Sequence, residues 1–265
     1  MTPQTLLHHV DTGLPWAERL STDPAYTLER AYADALAVRA LRVARGEHPL
    51  GYKVGFTNRS IWPVYNVYAP IWGTVYDSTV VFCEGEGRLS LDHTSEPRIE
   101  PEAVFGFRAA PAADASIADL FDALDWVAPG FEIVQSHLAG WKFDAPDTVA
   151  DGGLHARLLV GRRVPVRDIA ADAVGLDAAL AGSGVTLARD GEALDQGKGA
   201  AVLDGPVQAL WHFVQAHRAC PGAPPLQAGD IVTTGTWTDA WAVAPGQTWH
   251  GAFDAPLSAL TLRLE

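Results

Sequence analysis

Arg98-Ile99-Glu100-Pro101-Glu102-Ala103-Val104-Phe105-Gly106-Phe107 is an apolar run that carries two carboxylates one residue apart. Read as a strand, it points Glu100 and Glu102 to the same face, because side chains alternate along extended backbone. Their Cα atoms then lie roughly 6.5 Å apart, close enough for both carboxylates to converge on one hard cation. Further on, Glu132 interrupts a second apolar run, Phe131-Glu132-Ile133-Val134, where a charge is costly to bury without a partner. Three acids set among hydrophobes suggest a Mg²⁺ or Mn²⁺ site. An amphipathic edge strand plus an unrelated surface glutamate gives the same spacing, so the pattern alone leaves both readings open.

Lysine usage adds a second signal. Of the nineteen Lys and Arg residues, three are lysines: Lys53, Lys142 and Lys198. Arginine is the default cation here, so a lysine can mark a place that needs a compact ammonium able to shift its pKa and move protons. Lys53 lies in the glycine-flanked apolar stretch Gly51-Tyr52-Lys53-Val54-Gly55-Phe56, and Lys142 follows Trp141 in another largely apolar stretch. Snorkelling of a long stem is the alternative for both. Lys198, in Asp195-Gln196-Gly197-Lys198-Gly199, reads as part of a solvated loop and is assigned no role.

Composition bounds the function. The 265 residues hold ample material for a core, with 48% hydrophobic and 19% charged residues, an ordinary globular balance. A net charge of −13 without a basic run argues against a nucleic-acid surface. It also works against small anionic substrates, unless a metal or local cations hold them. Two cysteines, Cys83 and Cys220, make no disulfide framework, so a reduced cytoplasmic compartment is expected. The first ten residues lack a basic start and a long apolar core, and no apolar stretch reaches bilayer length, so a soluble protein without membrane partners is expected.

Outward from the acidic strand, periodicity predicts a helix from Asp23-Pro24 to Gly46, with Leu28, Tyr32, Ala35, Leu36, Ala40 and Val43 on one face. Strands are predicted over 51–56, 73–76, 79–82, 99–107, 126–135 and 157–161, with a capped short helix from Ser116 to Leu124. Later come a helix over 168–180, a hairpin over 185–194 turning at Asp190-Gly191, and a helix over 207–217. Strands over 230–234, 240–243, 247–253 and 257–264 finish the chain. Helices set apart from strand clusters, without a βαβ alternation, point to an α+β architecture.

Five segments, in order, resemble the fumarylacetoacetate hydrolase superfamily, and within it the 2-hydroxypenta-2,4-dienoate hydratase and 4-oxalocrotonate decarboxylase branch. They are Gly51-Tyr52-Lys53-Val54-Gly55-Phe56-Thr57, Ile99-Glu100-Pro101-Glu102, Phe131-Glu132-Ile133-Val134-Gln135-Ser136, Trp141-Lys142 with Asp147-Thr148-Val149-Ala150-Asp151, and Gly229-Asp230-Ile231-Val232-Thr233-Thr234-Gly235-Thr236. The resemblance implies a mixed β-roll with peripheral helices. It divides the chain into a helical N-terminal segment, 1–50, and a catalytic domain, 51–265. It implies a divalent cation on Glu100, Glu102 and Glu132, a small 2-oxo or 2-hydroxy-dienoate substrate chelated through its carboxylate and C2 oxygen, and a homo-oligomer.

The activity so implied is hydration in aromatic-compound catabolism. A 2-hydroxydienoate is ketonised by protonation at its far carbon, and water then adds at C4 to give a 4-hydroxy-2-oxo acid. Lys53 is the candidate proton carrier, with a pKa expected to be lowered by burial beside the cation, and Lys142 the candidate stabiliser of enolate or carboxylate charge. Thr57 and Thr236 would donate to the substrate carboxylate, although Thr236 also fits a turn. His155, in Asp151-Gly152-Gly153-Leu154-His155, is a candidate near the substrate or a structural histidine, and Asp77 either orients Lys53 or begins a turn. A decarboxylase of a 2-oxo-dioate would need a further cation, for which Arg59 is the candidate. An acylpyruvate hydrolase fits less well, because Asn58 to Trp72 contains neither His nor Glu. A non-catalytic partner subunit is the remaining alternative. Trp62, Tyr65, Tyr68, Trp72, Tyr76, Trp237 and Trp241 belong either to core and subunit contacts or to a pocket for a bulkier substrate than a five-carbon dienoate.

Overall fold

The computed structural model describes residues 1–65, 67–112 and 114–265. Its first strands are β1 (Pro49–Gly55), β2 (Ile71–Tyr76), β3 (Val80–Phe82), β4 (Glu86–Leu89), β5 (Arg98–Phe107), β6 (Leu124–Val134) and β7 (His155–Val160). They are followed by β8 (Val164–Pro165), β9 (Gly184–Arg189), β10 (Glu192–Lys198), β11 (Ile231–Thr233), β12 (Trp241–Ala242), β13 (Thr248–Phe253) and β14 (Leu260–Leu264). The helices are α1 (Pro3–Thr12), α2 (Leu28–Ala44), α3 (Trp62–Tyr65), α4 (Ile117–Ala123), α5 (Ala145–Ala150), α6 (Val166–Ile169), α7 (Ala173–Gly182) and α8 (Pro206–Ala219). Among the described residues, nine strands form one mixed sheet in the order β2-β1-β11-β5-β6-β7-β3, with β12 beside β5 and β8 beside β6. A five-stranded sheet runs β10-β9-β13-β14-β4. No helix among the described residues is long and apolar enough to cross a membrane.

Alternation along the central antiparallel pair places the site. Ile99, Phe105, Phe131 and Ile133 leave one face of β5–β6 and are fully buried in a core shared with Trp249 and Leu262 of the smaller sheet and with Leu210 and Phe213 of α8. Burial of such side chains stabilises the fold by about 1.5–3 kcal/mol each. A one-residue slip would turn them to the other face, so this core fixes the register. The even-numbered positions Glu100, Glu102 and Glu132 are thereby held on the opposite face, with Glu100 directly across from Glu132. Pro101 is tolerated in so central a strand for a visible reason. β11 pairs with β5 at Val104–Gly106 and β12 pairs with it at Arg98–Ile99, which leaves the intervening stretch without a strand partner on that side.

Local differences from the sequence reading have local causes. The long N-terminal helix starts at Leu28 rather than at Asp23-Pro24, because Thr27 caps it by accepting from Arg30 N, while Asp23 turns the chain by accepting from Ala25 N. An earlier helix, α1, was not anticipated, although Thr2 caps it and Pro3 stands at its first position. The helix predicted over 168–180 is two helices, since Asp172 caps a new start by accepting from Gly175 N. Lys198 ends a strand instead of sitting in a loop, and is exposed there. The hairpin does turn at Asp190 and Gly191, both at positive φ. Residues of α1 and α2 share a second core cluster with Ile71, Val134 and Phe143, behind the wall of the cavity described next.

Candidate active site

Glu100 and Glu102 on β5 and Glu132 on β6 each offer a carboxylate oxygen within 4.8 Å of the others. Glu102 and Glu132 are fully buried, while Glu100 faces a cavity of about 440 Å³. Lys53 on β1 is buried above them, its Nζ 3.2 Å from Glu132 Oε2. Three acids against one ammonium leave this dry corner short of positive charge. Burial accordingly pushes the Glu100 and Glu132 carboxyls up to about 7 despite the opposing charge of Lys53. Burial and the neighbouring Glu132 charge hold Glu102 well above the usual carboxylate range.

From the protein's own charges alone, the Lys53 pKa runs upward. Burial does push the ammonium down, but the charges of Glu132, Glu100 and Glu102 push it up and outweigh burial, so the net direction is upward. Sequence spacing could not reveal this, because Glu132 reaches Lys53 only through the sheet.

The donor set fits a divalent cation. Glu102 Oε2 accepts from Thr234 N at 3.1 Å and from Gly235 N at 2.6 Å, whereas its Oε1 is buried with no hydrogen-bond partner. A buried carboxylate oxygen left unmatched is costly, and three hard oxygens at this spacing suit Mg²⁺, Mn²⁺ or Ca²⁺ rather than a thiophilic metal. Gly235 has φ 94°, and a Cβ there would collide with the Thr57 hydroxyl, so glycine allows the backbone to lie against both Thr57 and Glu102.

The other expected residues separate into groups. Thr57 and Thr236 line the cavity. The Thr236 hydroxyl, however, donates to Thr238 O at 3.0 Å and accepts from Thr238 N at 3.2 Å, as a turn residue does. His155 does not line this cavity. It lies behind Glu132, with Nδ1 2.9 Å from Glu132 Oε1 and Nε2 2.9 Å from Thr79 Oγ1, and burial keeps it neutral by holding its pKa well below the ordinary value. Lys142 is exposed, and its neighbours Trp141 and Phe143 line the cavity in its place. The positive φ of Trp141 (59°) redirects the chain there and explains why adjacency in sequence misled. Arg59 is exposed, ion-paired with Asp204, and outside the cavity lining. Asp77 is an exposed turn residue accepting from His48 N, and does not meet Lys53.

The aromatic surplus also divides. Tyr65 and Trp237 line the cavity, Trp72 and Tyr76 are buried away from its lining, and Tyr68 is exposed. Sequence reading missed Asp195 and Gln196 at the rim. They lie close to Lys198 in the chain, and without the sheet nothing distinguishes them from hairpin residues.

No family model matches the chain. It is 32% identical over 245 residues to a 2-keto-4-pentenoate hydratase of Burkholderia vietnamiensis, spanning 92% of this chain and 88% of the relative. It is 29% identical over 229 residues to a 4-oxalocrotonate decarboxylase of a Pseudomonas species, spanning 86% and 84%. In structure it is similar to the 4-oxalocrotonate decarboxylase from Pseudomonas putida complexed with magnesium and adipate, with a TM-score of 0.86, 24% identity, and coverage of 100% of this chain and 99% of that one. With the carboxylate trio on its central strand pair and relatives of this kind matched over most of their length, the chain belongs to the family of 2-keto-4-pentenoate hydratases and 4-oxalocrotonate decarboxylases.

Proposed function

We propose that this protein is a divalent-cation-dependent hydro-lyase that adds water to a 2-hydroxy-2,4-dienoate, with Mg²⁺ or Mn²⁺ as the cation. The observation that carries the reading is Lys53 Nζ, 3.2 Å from Glu132 in a trio of carboxylates, two of them buried, at one end of the cavity. Glu100, Glu102 and Glu132 would hold the cation, which when bound supplies Lewis-acid polarisation of the 2-oxygen and carboxylate of the substrate. Lys53 carries the proton. Ketonisation moves the enol proton to C5, and addition then places the hydroxyl of water on C4 and its proton on C3, so the sum is one water gained. An ammonium held by Glu132 is poised to donate at C5 and to be reprotonated from the enol. Thr57, buried at the cavity wall, would donate to the substrate carboxylate. His155 acts through Glu132, fixing its orientation. The N-terminal helices back the cavity wall, and we place the catalytic unit in 51–265 with that segment as its support.

Decarboxylation of a dioate could use the same trio but requires a cation for the distal carboxylate, and Arg59 is engaged with Asp204 outside the cavity. Purified protein given 2-hydroxypenta-2,4-dienoate and Mg²⁺ should consume the ultraviolet chromophore, form a 4-hydroxy-2-oxo acid and release no CO₂. EDTA should stop turnover and Mg²⁺ restore it. Absence of hydration with cation retained, or activity indifferent to chelation, would overturn the reading.

A further inference from the structure

We infer that the cavity selects 2-hydroxydienoates carrying an apolar, preferably aromatic, group on C5, and discriminates against those carrying a second carboxylate. The inference rests on the hydratase reading and names its substrate class.

Beyond Lys53, the cavity continues into a row of rings. Phe56 stacks on Tyr65 with centroids 5.0 Å apart, Tyr65 on Phe143 at 5.5 Å, and Trp141 packs against Phe143 at 6.0 Å. All four line the same cavity as Lys53 and Glu100. Three of its apolar residues, Phe56, Trp141 and Leu154, hold left-handed backbone at φ 57°, 59° and 67°. That conformation costs a non-glycine residue roughly 1–2 kcal/mol and persists where the surroundings enforce it, which is characteristic of ligand clamps. Here the strain turns large apolar side chains toward a space that a five-carbon dienoate held at Lys53 would leave partly unfilled, since cavities of this size take drug-sized ligands.

Charge excludes the alternative tail. The lining carries Asp195 and Asp239, and among the described lining residues Lys53 is the cation. Asp195 is fixed in place, accepting from Trp241 Nε1 at 2.9 Å and from Asp239 N at 3.2 Å. A distal carboxylate would meet these acids without a counter-charge. Arg98, the nearest further cation on the acidic strand, lies 4.4 Å over the Trp141 ring, outside the cavity lining.

The test compares kcat/KM at saturating Mg²⁺ for 2-hydroxypenta-2,4-dienoate and its 5-phenyl, 5-butyl and 5-carboxy derivatives. The phenyl and butyl compounds should exceed the parent by roughly ten-fold or more, and the carboxy compound should fall below it. Tyr65→Ala and Trp141→Ala, both half-buried positions, should each lower the phenyl-to-parent ratio about ten-fold. Because the readout is a ratio within one protein sample, a loss of folded material cancels. A parent preferred over both apolar derivatives, a carboxy derivative preferred over the parent, or a ratio unchanged in both variants overturns the inference while leaving hydration intact. Hydration of none of the four, with the cation retained, removes the hydratase reading and this inference together.

Discussion

His155 holds Glu132 from behind, its Nδ1 2.9 Å from Glu132 Oε1, on the side away from the cavity. Its Nε2 lies 2.9 Å from the Thr79 hydroxyl, which donates to Tyr76 O at 3.1 Å, so the imidazole joins Glu132 to the turn before β3. Such partners orient a metal-ligating carboxylate and typically govern affinity by 10–100-fold. His155→Leu should therefore weaken Mn²⁺ binding by roughly 10–100-fold in titration calorimetry, with the circular dichroism spectrum retained. Unchanged affinity would mean that β6 alone fixes Glu132.

Glu102 Oε1 is buried without a hydrogen-bond partner, whereas the unbonded Oε2 of Glu132 lies 3.2 Å from Lys53 Nζ. Glu102→Ala should leave a folded protein that retains no Mn²⁺ after gel filtration, measured by elemental analysis, and that has no turnover. Activity of that variant in chelated buffer would remove the cation from the reaction.

Lys53→Met keeps the length of the stem and deletes the ammonium. If Lys53 moves the proton, kcat should fall by roughly 10²–10⁴-fold with KM nearly constant. A rise in KM at constant kcat would make Lys53 an electrostatic anchor.

His217 supplies a pH dependence away from the cavity. Packed among Tyr52, Trp72 and Phe213, it is pushed down to about 4 by burial, with Arg218 and Arg39 adding repulsion. The unfolded chain titrates this group near 6.5, so below that pH the unfolded state binds a proton that the folded state refuses. Its contribution is present above about 6.5 and is lost as pH falls toward 4, by about 3 kcal/mol in all. Urea midpoints of His217→Phe and the parent protein should therefore diverge in favour of the variant across that window. Parallel curves would show that His217 is protonated in the folded state.

The sequence by itself determined which positions of β5 and β6 share a face, because strand alternation is a local property and an apolar partner set occupies the other face. The family resemblance was equally legible, since its segments fall in order along the chain. Helix starts at Thr27 and Asp172 were harder, because several capping residues stand within reach and only the packed helix selects among them. What tertiary structure alone decided is who meets whom. Lys53 comes to Glu132, His155 falls behind Glu132, Lys142 and Arg59 turn to solvent, and Asp195 reaches the rim. The physical reason is that these contacts join strands far apart in the chain. Sheet order and register set them, and a spacing pattern carries no information about either.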